Sequence, residues 1–461
     1  MTNKRSDKMD NRQRPLMTRP EGKPQEEKKK KKQKLYPNRP WLIDPLVIFM
    51  PGVFPWQKKD EDERKYHLYL KNIEFHNIDL VLLIIVVMLC ALGLLMMFSA
   101  SYAWAINATK DNNGEYYVVR QAIFVGVGFL IILFLSSKFF DYHMLRSMAV
   151  TYTILIGSMG LVAMVLVKGI GDDANGAQRW LQLGGFRFQP SEMLKLALII
   201  FLSRLLSKYS ECLGKGSEHS KEILVIIGWL IVVGTCAVLM YKEPHLSGMI
   251  IICIIGVFML FISEVRLSKF LPICAAGIFG GAAMVMHKYN EGGYVADRIN
   301  GWMYTWDPEN RDIAWQTRNS LIAIGSGGWW GLGLGNSRQK FLYLPESHND
   351  FVFSIVCEEL GLMTGIAVIV AFVCFAIKGF AIAWNAPDRY GMLMAAGITG
   401  HLIVQVILNI AVVSNGMPNT GISLPFFSYG GSAVLIQLTE VGLLFNISKQ
   451  RYVRPDQKSR S

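Results

Sequence analysis

Long apolar runs recur along this chain. The first of them, LVLLIIVVMLCALGLLMMF at residues 80–98, carries no charged side chain. A helix needs about 20 residues of this kind to cross a hydrocarbon core. Backbone groups find no water inside lipid, so only helices and closed barrels can cross. Barrel strands alternate apolar and polar positions, which these runs do not. Ten runs are read, at roughly 78–102, 117–137, 144–168, 190–206, 222–240, 247–263, 268–287, 351–376, 390–413 and 430–447. The expected fold is an all-α polytopic membrane protein of about ten transmembrane helices. A hydrophobic share of 52% over 461 residues agrees with that class.

Charge orients the runs. The net charge is +12, yet residues 1–40 hold fourteen Lys or Arg and five Asp or Glu, so +9 of it belongs to that tail. An even number of spans puts both termini on one side, and basic residues mark that side as cytoplasmic. SKQRYVRPDQKSR near the C-terminus and the short-loop residues Lys138, Lys208, Lys215, Lys221, Arg266, Lys269, Lys378 and Arg389 fall on the same side. Loop 414–429, on the other side, has no Lys or Arg. The expected organisation is a disordered basic cytoplasmic tail at 1–70, a membrane domain at 71–448 and a cytoplasmic tail at 449–461. The first tail contains an apolar stretch, 41–56, broken by Pro45, Pro51 and Pro55. The basic residues of 1–40 read either as a binder of anionic lipid or nucleic acid or, as preferred, as solvated disordered chain, and no nucleic-acid partner is expected. Forty polar residues precede the first apolar run, so no cleavable signal peptide is expected. The seven cysteines form no CxxC pattern and the eight histidines no HExxH spacing, which points away from a protein-held zinc site.

Three extracellular segments are rich in Gly, aromatic and polar residues: 169–189, a large loop at 288–350, and SNGMPNTGISLPFFSYGG. Loops of this kind usually carry function. In FLYLPESHNDFVFSIVCEELGL the eighth run opens on Asp350. One reading makes Asp350 a helix cap that accepts backbone N–H bonds. The other makes it a proton-abstracting base, with Glu346, His348, Arg338 and Lys340 close by in sequence. Glu358 and Glu359, two turns deeper, are expected to pair with another helix before a break at Gly361. Arg179, Arg187, Arg298, Arg311, Arg318, Arg338 and Lys340 are either ordinary loop charge or a cradle for phosphate or pyrophosphate. The glycine run GSGGWWGLGLGNSRQK offers backbone N–H groups to such a ligand. Lys195 follows Glu192 by three residues, as a helical pair or an intramembrane site. His245 is ambiguous, and His401 reads as a packing residue.

Taken in order, FSASYAWA, NGAQRW, FQPSEMLKLAL, SLIAIGSGGWWGLGLGNSRQKFLYLPESHNDFVFSIVCEELG and PNTGISLPFFSYGGSA cover most of 78–447. Together they resemble the shape, elongation, division and sporulation family, the FtsW/RodA group. GLGNSRQKFLYLPE is more similar to the FtsW branch. The resemblance implies a ten-helix peptidoglycan glycosyltransferase that polymerises lipid II, the undecaprenyl-pyrophosphate disaccharide pentapeptide. It implies work on the outer face of the bacterial cytoplasmic membrane, beside a class B penicillin-binding protein and other division or elongation proteins. It places the essential aspartate at Asp350. Arg179, Lys195, Arg298, Lys340, Glu346, His348 and Ser428 become substrate-binding candidates. Three positions depart from the family pattern: Asn349 stands for the usual Thr, Asn319 for Gln, and His245 for Asp.

On this reading Asp350 takes the proton from the sugar 4-hydroxyl that attacks the anomeric carbon. The leaving pyrophosphate is balanced by Arg or Lys, or by a divalent cation such as Mg or Mn. A lipid II flippase is one rival, and its key charges would lie near the membrane midplane. A non-catalytic scaffold for a penicillin-binding protein is the other. The density of polar residues in the outer segments favours the enzyme.

Overall fold

The computed structural model describes residues 73–75 and 78–452, apart from 109–111, 168–170, 175–176, 184–185, 210–218 and 244. The tail expected at 1–70, with its stretch 41–56, and the chain end from 453 lie outside the described residues. Among the described residues the order begins β1 (Ile73–Phe75), α1 (Leu80–Ala108), α2 (Tyr116–Leu135) and α3 (Met148–Val165). Three short strands follow, β2 (Gly171–Ala174), β3 (Ala177–Leu183) and β4 (Phe186–Phe188). Then come α4 (Pro190–Lys208), α5 (His219–Lys242), α6 (Leu246–Ile262) and α7 (Leu267–Glu291). Two shorter helices, α8 (Tyr294–Met303) and α9 (Trp315–Gly327), precede α10 (Val352–Trp384), α11 (Arg389–Val413), α12 (Gly431–Lys449) and β5 (Gln450–Tyr452).

Helices α1 to α7 and α10 to α12 fall on the ten expected runs, and the fold is a polytopic helical membrane protein. Eight of these helices are long and apolar enough to cross a membrane. The other two are informative. Helix α6 is apolar but only 17 residues long, roughly 26 Å at 1.5 Å per residue. Helix α4 has 19 residues but carries Glu192, Lys195, Ser203 and Arg204. Fifteen of its residues are buried, so it faces protein on nearly all sides and needs no lipid-compatible surface. Helix α7 is the opposite case, with no buried residue.

Lipid supplies little hydrophobic drive between helices, so close packing and polar contacts hold them together. A side chain at Gly128 would collide with Leu438, one at Gly379 with Thr399, and one at Gly397 with Ile199. These contacts join α2 to α12, α10 to α11, and α11 to α4. His401 is fully buried with Glu440, Nδ1 to Oε1 2.9 Å, and this pair ties α11 to α12. The residue expected only to pack thus has an acid partner. Asn446 accepts the Tyr142 N–H at 3.0 Å and donates to the carbonyls of Leu135 and Phe140.

Strand β1 runs antiparallel to β5, pairing Ile73 with Tyr452. Both ends of the helical domain therefore lie together. The β2–β3–β4 sheet joins α3 to α4 at the opposite end. Helices α8 and α9 and the loop before α12 join the strands there.

Candidate active site

The segment expected as a large outer loop is partly folded back along the bundle. Helix α9 descends beside the first turns of α10, with Ser320 Oγ 2.7 Å from Ser354 Oγ. At its end Gly327 lies against the backbone of Cys357, and Gly331 lies against that of Glu359. The chain turns there and climbs back to Asp350. Helix α10 breaks at the same level, where Gly361 has φ 83°. A Cβ at Gly361 would lie 2.4 Å from the Trp329 carbonyl oxygen, so only glycine admits this approach. The N–H groups of Leu332 and Gly333 donate to the carbonyls of Glu358 and Glu359 at 3.0 and 2.9 Å, satisfying groups that the broken helix leaves open.

Two carboxylates fasten this turn. Glu358 accepts the Ser337 hydroxyl and the N–H groups of Arg338 (2.9 Å) and Gln339 (3.4 Å). Glu359 accepts the Ser99 hydroxyl at 2.7 Å, the Ser337 N–H at 3.3 Å and the Lys340 ammonium at 2.8 Å. The expected partner of these acids was another helix; mostly they hold the turn, with only Ser99 on α1. Lys340 also donates to the Gly335 carbonyl (2.7 Å) and Ser99 Oγ (3.0 Å), and it is only 5% exposed. Every ammonium proton of Lys340, expected as a substrate cation, is thus engaged within the protein.

The head of α10 is built differently. Its cap position is Phe351, and no side chain caps the helix. The capping reading of Asp350 fails, since its carboxylate accepts no hydrogen bond from a described residue. What is held there is backbone. Asn409 donates to the Asp350 carbonyl at 2.7 Å, and Ser428 to the Asn349 carbonyl at 2.7 Å. The Tyr429 N–H donates to the His348 carbonyl at 2.9 Å, and Ser347 to the Ala100 carbonyl at 3.2 Å. Gln121 braces the facing loop, donating to the Ser428 carbonyl and accepting the Gly430 N–H. Leu342, Glu346 and Phe426 all have positive φ, at 66°, 55° and 65°. Each such residue costs about 1–3 kcal/mol and persists only where its surroundings hold it. Gly421 lets the loop before α12 graze the acid, since a Cβ there would lie 3.2 Å from Asp350 Oδ2.

Burial and then the nearby Glu346 charge push Asp350 up to about 7, while Arg298 and Arg179 pull it down. A carboxyl at that level exchanges its proton at neutral pH, as a general base must. Arg298 is steered by Gln316, NH1 to Oε1 3.2 Å, and lies over the Tyr294 ring. Asn419 donates to the same Gln316 oxygen at 2.7 Å, linking α8, α9 and the loop before α12. Glu346 accepts from the Asn349 amide. Burial lowers the pKa of His348, and its ring packs with Trp104, Tyr117 and Tyr429, centroids 5.1–6.2 Å apart. The ring thus forms part of an aromatic wall beside Asp350.

The structure thus brings Asp350, Glu346, Arg179 and Arg298 into one charged group. It does not bring Lys340, and it places Lys195 in a buried pair with Glu192 at 2.8 Å, of which Lys195 is 2% exposed. Ser428, expected on substrate, also accepts the Leu424 N–H at 2.7 Å and serves as a brace. Ser99, Gln121, Asn409 and Glu243 escaped sequence reasoning. Their signal was a single polar residue in or beside an apolar run, which is costly unless it does something. Glu243 matters for the departure at His245. An acid is present two residues earlier, buried, and pushed up to about 8 by that burial against the pull of Arg179.

A family model for the cell cycle proteins FtsW, RodA and SpoVE matches residues 80–453. The chain is 35% identical to the stage V sporulation protein E of Bacillus subtilis (strain 168), over 80% of this chain and 97% of that protein. It is 36% identical to a probable peptidoglycan glycosyltransferase FtsW of Trichlorobacter lovleyi, over 80% and 93%. Among solved structures, the rod shape determining protein RodA of Thermus thermophilus superposes with a TM-score of 0.56 at 26% identity, covering 82% of this chain and 98% of that one.

Proposed function

Because the chain belongs to the FtsW/RodA/SpoVE family of cell cycle proteins, we propose that it is a peptidoglycan glycosyltransferase that polymerises lipid II. The observation that carries this reading is Asp350: its carboxylate accepts no hydrogen bond from a described residue, and burial raises it to about 7 against the pull of the Arg298 and Arg179 charges. Asp350 takes the proton of the 4-hydroxyl on the incoming sugar. The oxygen attacks the anomeric carbon of the lipid-linked strand, and the polyprenyl pyrophosphate leaves. Arg298 and Arg179 face the charge that grows on that leaving group, where cations act most strongly. The reaction occupies the outer face of the bacterial cytoplasmic membrane, with both termini in the cytoplasm, in agreement with the basic residues near the chain ends. A class B penicillin-binding protein is the proposed partner, as for the family at large. Among the described residues no group of three or more His, Cys, Asp or Glu is placed to hold a metal ion.

Purified chain with its partner, given labelled lipid II while the transpeptidase is blocked, tests the reading. Glycan strands from the wild type and none from Asp350→Asn support it; strands from both exclude Asp350 as the base. A lipid II flippase is the second reading, and the buried pairs Glu192–Lys195 and His401–Glu440 within the bundle favour it. Transfer of labelled lipid II across vesicles without strand formation would select it.

A further inference from the structure

The ten residues from Phe341 to Asp350 are fastened at both ends, with Ser347 between them donating to the Ala100 carbonyl at 3.2 Å. At the far end the braces from Asn409, Ser428 and Tyr429 hold the backbone of Asp350, Asn349 and His348. At the near end stands Lys340, whose ammonium meets three acceptors: Glu359 at 2.8 Å, the Gly335 carbonyl at 2.7 Å and the Ser99 hydroxyl at 3.0 Å. An ammonium has three N–H groups, so none remains for a ligand. Turning it toward a pyrophosphate would leave Glu359, fully buried, as an unpaired charge. Between the anchors Leu342 and Glu346 hold positive φ, a backbone that relaxes when its ends are freed. Glu359 belongs to α10 and Ser99 to α1, so this one contact ties the segment to two membrane helices.

We infer that Lys340, Glu359 and Ser99 form a positioning clasp, which holds the near end of the Asp350 segment so that the carboxylate meets the acceptor hydroxyl, and which touches no substrate. This rests on the glycosyltransferase reading. Lys340 is thereby a positioning residue acting through Glu359.

Polymerisation of labelled lipid II by Lys340→Met, Glu359→Gln and the double variant tests it, with kcat and KM measured separately below each melting temperature. Each single change should lower kcat about tenfold while KM moves less than about threefold, because substrate binding is untouched. The double variant should recover part of the loss, since neither charge is then orphaned. The acid limb of the pH profile should keep its midpoint in all three, because the base is unchanged. A direct contact of Lys340 with the leaving group gives another pattern: Glu359→Gln keeps kcat, and the double variant is as slow as Lys340→Met. That pattern, or strictly additive losses, overturns the clasp. Ser99→Ala removes one hydroxyl and no charge, and it covers a charge variant that does not fold. Lower kcat at unchanged KM and melting temperature supports the clasp, and unchanged kcat overturns it. A wild type that makes no glycan sinks the glycosyltransferase reading itself; an active wild type with indifferent variants sinks only the clasp.

Discussion

Two ends of one helical stretch use acids in opposite ways. At its break, Glu358 and Glu359 are buried and accept bonds from the turn at 337–340 and from Ser99. At its head, Asp350 accepts none from a described residue, although its backbone is braced from α11 and from the loop before α12. The two sites lie within ten residues of each other and share the same climbing segment. A buried acid with every bond made is structural. An acid held by its backbone alone, with its carboxylate left unbonded and its proton near neutrality, is poised for chemistry.

The comparison breaks first at Asp350. Asp350→Asn should cost about 10²–10⁴-fold in turnover, the usual worth of a positioned base, without loss of folding. Its effect on stability has a definite sign. The folded pKa of about 7 lies above the unfolded value of about 3.9. Between those values the folded state binds the extra proton, so this group's contribution to stability falls as pH rises through that window. The Asn variant should therefore gain in melting temperature over the wild type at pH 8 and gain little at pH 4. An equal difference at both pH values would show that Asp350 is not raised.

Next come two glycines. Gly361→Ala places a methyl group 2.4 Å from the Trp329 oxygen at a φ of 83°, and it should destabilise by about 4 kcal/mol or more, read as a collapse of the melting temperature. Gly421→Ala meets Asp350 Oδ2 at 3.2 Å at a φ of 69°. It should cost about 1–2 kcal/mol yet slow turnover clearly. Equal losses of stability from the two would blur the distinction drawn between break and head.

A smaller effect sharpens the electrostatics at the head. The rate should climb as pH rises through about 7, as Asp350 loses its proton. Glu346→Gln removes a like charge and should move that limb to lower pH; Arg298→Gln removes an opposite charge and should move it higher. A limb indifferent to both would detach Asp350 from it. The smallest effect is expected from deleting residues 1–40, whose composition is that of solvated chain. Turnover in detergent should stay within roughly twofold, and a tenfold fall would give the tail a role in the reaction.

The membrane class, the ten helices and the place of Asp350 were legible in the residues, because each depends on local chemistry. A run such as 80–98 must become a spanning helix whatever surrounds it, since lipid offers its backbone no partner. Helix α4 was legible for the same reason despite Glu192 and Lys195, although the sequence could not say that its polar side chains face protein. Asp350 stood out as an acid at the mouth of such a run.

Partnerships across the chain were hidden. Lys340 looked like a loop cation because its partners, Ser99 and Glu359, lie 241 and 19 residues away. His401 looked solitary because Glu440 sits on the next helix. The descent of α9 beside α10 was hidden too, as it depends on Gly327, Gly331 and Gly361 meeting backbone to backbone. Hydropathy reads the solvent that a residue tolerates, and lipid sets that one residue at a time. Which charges neutralise one another, and so which acid stays unbonded, is set by distances of 3 Å that exist only after the helices pack.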